Sequence, residues 1–161
     1  MDTYLAIASK RDERAYAAAP VPPEVERRIL DAGRVSGSSQ NTQKWEFVVV
    51  ADGQQELAGA VYAPQNVSTA ALVVAIVGEA GGLDVGRCMQ NMMLAAWNDG
   101  IGSCPAHLPE PELTRLLGLP EGLFINRVIG FGYVDPERAA PPPSVARRRL
   151  SLTELVHWER W

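Results

Sequence analysis

Apolar positions along the chain keep several distinct rhythms. From Leu83 to Cys104, LDVGRCMQNMMLAAWNDGIGSC, they follow a helical beat: Val85, Cys88, Met89, Met92 and Ala96 are joined by Leu94, Ala95 and Trp97. A helix this apolar nearly all round is predicted to run through the middle of the fold, packed from several sides. Asp84 is the expected N-cap, and Gly100 the expected left-handed residue beyond the C-terminus. Met89, Met92 and Met93 beside Ala95 and Ala96 suit either a core or a subunit interface.

The remaining pattern places further elements around this helix. Thr3 to Ser9 reads as a short helix, followed at once by the charged knot Lys10, Arg11, Asp12, Glu13, Arg14. The step Pro20 to Pro23 opens a second helix, Pro23 to Arg34, with Val25, Ile29, Leu30 and Ala32 on one face and Glu24, Glu26, Arg27 and Arg28 on the other. A polar loop from Ser36 to Gln43 feeds the strand Trp45 to Ala51, an arrangement suited to presenting a ligand. A short helix is expected from Gln54 to Ala60, then Tyr62, Pro64 and Asn66 in a loop. Ala70 to Gly78 is an unbroken apolar strand of the fully covered kind. Pro109 to Gly118 reads as a helix, and Leu123 to Val134 as a last strand. This order predicts an α+β sandwich rather than a strict βαβ wind, in a single domain over residues 1–161 without internal repeats.

The tail departs from the usual polar terminus. Pro141 to Pro143 should be extended and stiff, and Leu150, Leu152, Leu155, Val156, Trp158 and Trp161 make the C-terminal segment too apolar to stay in water. Residues 141–161 are therefore expected to form an arm docking on a second subunit. The alternative is a tail folded back on its own monomer.

Composition narrows the classes. A net charge of -4 and pI near 5.2 argue against nucleic-acid and membrane-surface partners, which need a basic face. The N-terminus lacks the pattern of a signal peptide, and the run Ala70 to Val77 is too short to cross a bilayer. A cytoplasmic protein is expected, with Cys88 and Cys104 as reduced thiols. Cys104 and His107 form the sole spacing that hints at metal, and one such pair falls short of a zinc set, so no metal is expected. No nucleophile elbow, phosphate loop or dinucleotide fingerprint is present. What remains is cationic: Lys10, Arg11 and Arg14 near the start, Arg147 and Arg149 near the end, and the donor-rich Ser38, Ser39 and Asn41 between them. Guanidinium forks suit a phosphate, although each basic cluster taken alone is more often a solvated face.

The set KRDERAY, AGRVSGSSQNTQKWEFVVVAD, LDVGRCMQNMMLAAWNDGIGSCP, LGLPEG and RRRLSLTELVHWERW resembles, in content and order, the FMN-dependent nitroreductase family. The likeness covers nearly the whole chain from about Ala6. It implies an α+β homodimer: a central mixed sheet flanked by helices, a long interface helix, a C-terminal arm, and FMN in the groove between subunits. It also implies that Lys10, Arg11, Asp12 and Arg14 contact the flavin phosphate and ribityl chain, and that Ser38, Ser39 and Asn41 reach the flavin from the second subunit. Asn66 would lie near the pyrimidine edge, Ser103, Cys104 and Pro105 near flavin N5, and Arg147 and Arg149 would complete a phosphate clamp. Lys44 stands where the family commonly has proline, and the segment between Val50 and Ala70 is short, which implies a more open pocket.

The implied chemistry is ping-pong transfer of hydride from NAD(P)H to a nitroaromatic, quinone or similar acceptor. No catalytic side-chain acid is required, in keeping with a chain poor in histidines and carboxylate pairs. Two rivals are a flavin-binding or storage protein without NAD(P)H-driven turnover and a flavin-free dimerisation module.

Overall fold

The computed structural model describes residues 2–79, 81–106, 115–138 and 149–161. The element order is α1 (Thr3–Ser9), α2 (Pro23–Arg34), β1 (Glu46–Val49), α3 (Gln54–Gly59), α4 (Gln65–Ser68), β2 (Leu72–Gly78), α5 (Leu83–Asn98), β3 (Gly102–Ala106), β4 (Phe124–Gly132) and α6 (Leu152–Leu155). The strands form one sheet in the order β1-β2-β4-β3, and all three pairings are antiparallel. Parallel pairing appears at the isolated bridge between Asp12 and Ser103. His107, the first part of the expected Pro109 to Gly118 helix, Pro141 to Pro143 and Arg147 lie outside the described residues.

Every residue of β2 is buried, as its unbroken apolar run requires of a strand covered on both faces. Alternation sends Leu72, Val74 and Ile76 to one side, where they pack with Val25 and Ile29 of α2 and Val85, Cys88, Met92 and Ala96 of α5. Val73, Ala75 and Val77 face the other side, with Leu57 and Ala58 of α3 and Val67 of α4. The α+β class therefore holds as a sheet between two helical layers. Glycine at position 33 lets α2 lie close on the core, because a Cβ there would lie 2.7 Å from Phe47 and 2.9 Å from Met92 and force those side chains to shift.

Several boundaries differ from expectation for identifiable reasons. β3 has no counterpart among the expected elements: Gly102, Ser103 and Pro105 are poor strand formers, and Pro105 is accommodated because β3 lies at the sheet edge. Asn66, expected in a loop, sits on the one-turn helix α4. α5 starts at an N-cap Gly82 without a side-chain cap, so Asp84 falls inside the first turn. Gly100 has the expected positive φ of 76°. The chain's own packing covers α5 incompletely, because Leu83, Arg87, Gln90, Asn91 and Asn98 remain exposed along one face. The tail stays uncovered too: Leu152, Leu155 and Trp158 are exposed, and Trp161 is fully so. Its residues Ser151 and Glu154 close a capping box that starts α6.

Candidate functional site

The charged knot is built into the edge of the sheet. The Glu13 N–H donates to the Ser103 carbonyl at 3.1 Å, and Asp12 bridges to Ser103, so residues 12–13 cover the outer edge of β3. Tyr16 anchors the end of this stretch. It is buried, and its hydroxyl lies 2.5 Å from the Glu13 carbonyl and 3.0 Å from that of Gly130. Burial, with the nearby Cys104, Glu13 and Asp12, pushes the phenol well above its ordinary pKa and keeps it neutral. On the other side, the Trp97 indole N–H donates to Ser9 Oγ at 2.9 Å, tying the end of α1 to the last turn of α5.

The three cations of the knot are placed differently. Lys10 is buried and its ammonium pairs with the half-exposed carboxylate of Asp12. Arg11 turns back on α1, donating to the carbonyls of Ala8, Ser9 and Lys10 at 3.0, 3.0 and 2.9 Å, which caps the helix C-terminus. Arg14 is exposed and makes no hydrogen bond or ion pair among the described residues. Its charge reaches Cys104: burial pushes that thiol up, Arg14 and Lys10 pull it down, and Asp12 opposes them.

Alternation along β3 turns Cys104 toward α4 and Ser103 toward the α5 side, next to its register partner Phe131. Cys104 Sγ accepts from Asn66 Nδ2 at 3.3 Å. Asn66 is 2% exposed, and its Oδ1 has no hydrogen-bond partner among the described residues. A buried acceptor without a donor is costly and points to a missing N–H. α4 is fixed in place by Gln54, whose side-chain amide donates to the carbonyls of Val67 and Ala70. Position 130 lets α4 lie directly on the sheet, since a Cβ there would land on the Asn66 carbonyl oxygen.

The loop containing Ser38, Ser39 and Asn41 lies at the opposite end of α5. Ser39 N–H donates to Asp84 Oδ2 at 2.9 Å, and Ser38 Oγ accepts from Gln43 N–H at 2.9 Å. Gln40, Asn41 and Gln43 all have positive φ, 52°, 55° and 48°. For residues with a Cβ, each such conformation costs on the order of 1 kcal/mol. Asp84 and Trp97 mark the attachment points of loop and knot, and at the helical rise they are roughly 20 Å apart along the axis. Thus Lys10, Asp12, Arg14, Asn66 and Cys104 gather at one place, and Ser38, Ser39 and Asn41 at another. Lys44 pairs with Glu79 at 3.3 Å at the sheet edge, and Arg149 lies on the exposed tail. The roles of Asp84, Tyr16 and Gln54 had no signal in sequence, because each has a defining partner that is not a near neighbour: Ser39 for Asp84, Gly130 for Tyr16, and Val67 with Ala70 for Gln54.

The nitroreductase family model matches residues 7–81 and 78–133. The chain belongs to the nitroreductase family. A protein of Methanothermobacter thermautotrophicus, whose name places it among NADH dehydrogenases or NAD(P)H nitroreductases, is 27% identical over 176 residues, spanning all of this chain and 88% of its own. Among solved structures, a nitroreductase family protein from Streptococcus pneumoniae is similar with TM-score 0.83 at 20% identity, covering 97% of this chain and 99% of its own. The NADPH:FMN oxidoreductase of Vibrio harveyi, solved with NAD+, has TM-score 0.84 at 24% identity, over 99% of this chain and 77% of that one. These structural likenesses establish that the chain has the nitroreductase fold.

Proposed function

We propose that this nitroreductase family oxidoreductase binds FMN as a homodimer. It takes hydride from NAD(P)H in one half-reaction and passes electrons to a nitroaromatic, quinone or similar small acceptor in the next, in a ping-pong cycle in the cytoplasm. The observation that carries this reading is the buried, unpaired Oδ1 of Asn66 beside a cationic knot. That oxygen suits the imide N–H of a flavin pyrimidine, and Arg14 with Lys10 offers positive charge to its anionic parts. Bound FMN would supply the hydride-accepting centre, which the chain's own side chains lack.

The protein's part is holding and shaping. Asn66 fixes the orientation of the ring by accepting one hydrogen bond from a site closed to water. Cys104 stays a neutral thiol under its burial and acts as packing and as the partner of the Asn66 amide, not as a nucleophile. Ser103 has its carbonyl committed to Glu13, and β3 is paired with β4 along its inner edge, so the outer edge from Ser103 to Pro105 is what this strand offers the ring. The loop Ser38, Ser39, Asn41 is out of reach of its own knot, and an antiparallel second copy across the open face of α5 brings one chain's loop to the other's knot. The uncovered tail, with Leu152, Leu155, Trp158 and Trp161, fits an arm on that second copy, and Arg149 would arrive with it. Arg147 belongs to the same proposed clamp.

The test is direct. Purified protein should be yellow, and NADH or NADPH should bleach it without air. Arg14→Ala combined with Arg149→Ala should weaken FMN binding by about 100-fold, two charge-assisted contacts at about tenfold each. Unchanged affinity removes the phosphate assignment. A yellow protein that neither nucleotide bleaches is the flavin-binding alternative, and a colourless one that cannot be reconstituted is the flavin-free scaffold.

A further inference from the structure

We propose that Asp84 is a positioning residue for the mononucleotide site, holding the loop Ser38 to Gln43 in the conformation that meets FMN bound against the second copy. The inference rests on the flavin reading above. Three observations converge on it.

Within the loop, the hydrogen bonds are local: Asn41 N–H to the Ser38 carbonyl at 3.0 Å, Thr42 N–H to that of Ser39 at 3.1 Å, and Gln43 N–H to Ser38 Oγ at 2.9 Å. They define the turn without attaching it to the body. Among the described residues, the bond from loop residues 38–43 to a separate element is Ser39 N–H to Asp84 Oδ2. Next, Asp84 is not occupied as a helix cap, because Gly82 holds that position and no side chain caps it. Its other oxygen faces Arg87 at 3.4 Å, and Arg87 in turn lies against Gly37, where a Cβ would fall on the guanidinium. The pair thus brackets the loop entry from Gly37 to Ser39. Finally, Gln40, Asn41 and Gln43 sit just beyond the tie, in a left-handed backbone that side-chain-bearing residues leave when released. A carboxylate fixed on a rigid helix keeps the donors of Ser38, Ser39 and Asn41 arranged before the ligand arrives.

The test compares Asp84→Ala, Asp84→Asn and the double variant Asp84→Ala with Gln40→Gly in the full-length protein. Two readouts are taken: amide hydrogen exchange at residues 39–43 in the flavin-free protein, and FMN affinity. Asp84→Ala should speed loop exchange and weaken FMN binding, each by about tenfold, while α5 amides from Cys88 onward keep their protection. Asp84→Asn retains an acceptor for Ser39 N–H and should stay within about threefold of the parent on both readouts. Glycine accepts positive φ freely, so Gln40→Gly should recover about threefold of the loss in the Asp84→Ala background. Unchanged loop exchange in Asp84→Ala overturns the proposal. So does loss of protection along the whole of α5, which would make Asp84 a helix-end charge, or absence of recovery by Gln40→Gly. If the parent protein binds no FMN, the flavin reading falls, and with it Asp84's role at that site. The exchange arm then reports separately on the Asp84 hold over the loop.

Discussion

The two ends of α5 carry the two halves of the proposed site and hold them by different means. At the C-terminal end the knot is part of the body: its backbone pairs with β3, Tyr16 is buried beneath it, and Trp97 bonds to Ser9. At the N-terminal end the turn Ser38 to Gln43 lies outside the core, strained at Gln40, Asn41 and Gln43; Asn91 holds the loop entry at Ser36, and beyond it the tie to α5 is the Asp84 carboxylate. Burial makes the first half rigid without help, since opening it would unpair buried polar groups. The second half is exposed from Ser39 to Lys44 and owes its place to polar ties rather than to burial. A site assembled from one buried and one exposed half gains precision from the first and access from the second.

The strongest way to break the contrast is Gly130→Ala. A Cβ there collides with the Asn66 carbonyl, so α4 must lift from the sheet. Overpacking against backbone should cost about 3 kcal/mol and lower Tm by roughly 6–12 °C in a chain of this size. Exchange should rise on α4 and leave Ser38 to Gln43 unchanged, which hydrogen exchange with thermal melting would check. A smaller effect is expected for Tyr16→Phe, which removes the hydroxyl shared by the Glu13 and Gly130 carbonyls. The loss should be about 1–2 kcal/mol, with exchange of Glu13 N–H accelerated and the loop again unaffected. Loop exchange that followed the knot would mean that the two halves are coupled through α5.

The mildest expected effect concerns the helix between them. Burial alone pushes the Cys88 thiol from the usual 9.0 up to about 12. The unfolded chain therefore loses this proton first, so its contribution to stability is intact below pH 9 and is lost as pH rises toward 12. Melting temperature measured from pH 8 to 11 should fall less steeply in Cys88→Ala than in the parent. The slope should not vanish, because the Cys104 thiol is also raised by burial.

Elements whose cause is local were legible in the chain. α1 and α2 start and stop as their residues dictate: Pro23 opens α2, Glu24 and Glu26 fill its first turn, and Arg34 its last. β2 was legible as an apolar run of strand length, rich in β-branched valine and isoleucine. β3 could not be read from Gly102, Ser103 and Pro105, since pairing with β4 and the bridge to Asp12 supplies what propensity withholds. Of the site, the residue types were legible and their employment was not. Arg11 looked like its neighbours Lys10 and Arg14, yet the nearby end of α1 claims it. Asp84 looked like a cap, and a residue 45 positions away claims it instead. The apolar count along α5 overstated its coverage, because Arg87, Gln90 and Asn91 share one exposed face.

The length of α5 is itself a measuring device. Its 16 residues set both the distance and the angle between a turn that offers donors and a knot that offers charge. One inserted residue would add about 1.5 Å and swing one end by about 100° relative to the other, while leaving a helix of nearly equal stability. In the proposed two-fold pair the error would be felt at both copies of the site. This helix is therefore constrained in register as much as in packing, and its tolerance of substitutions should far exceed its tolerance of insertions.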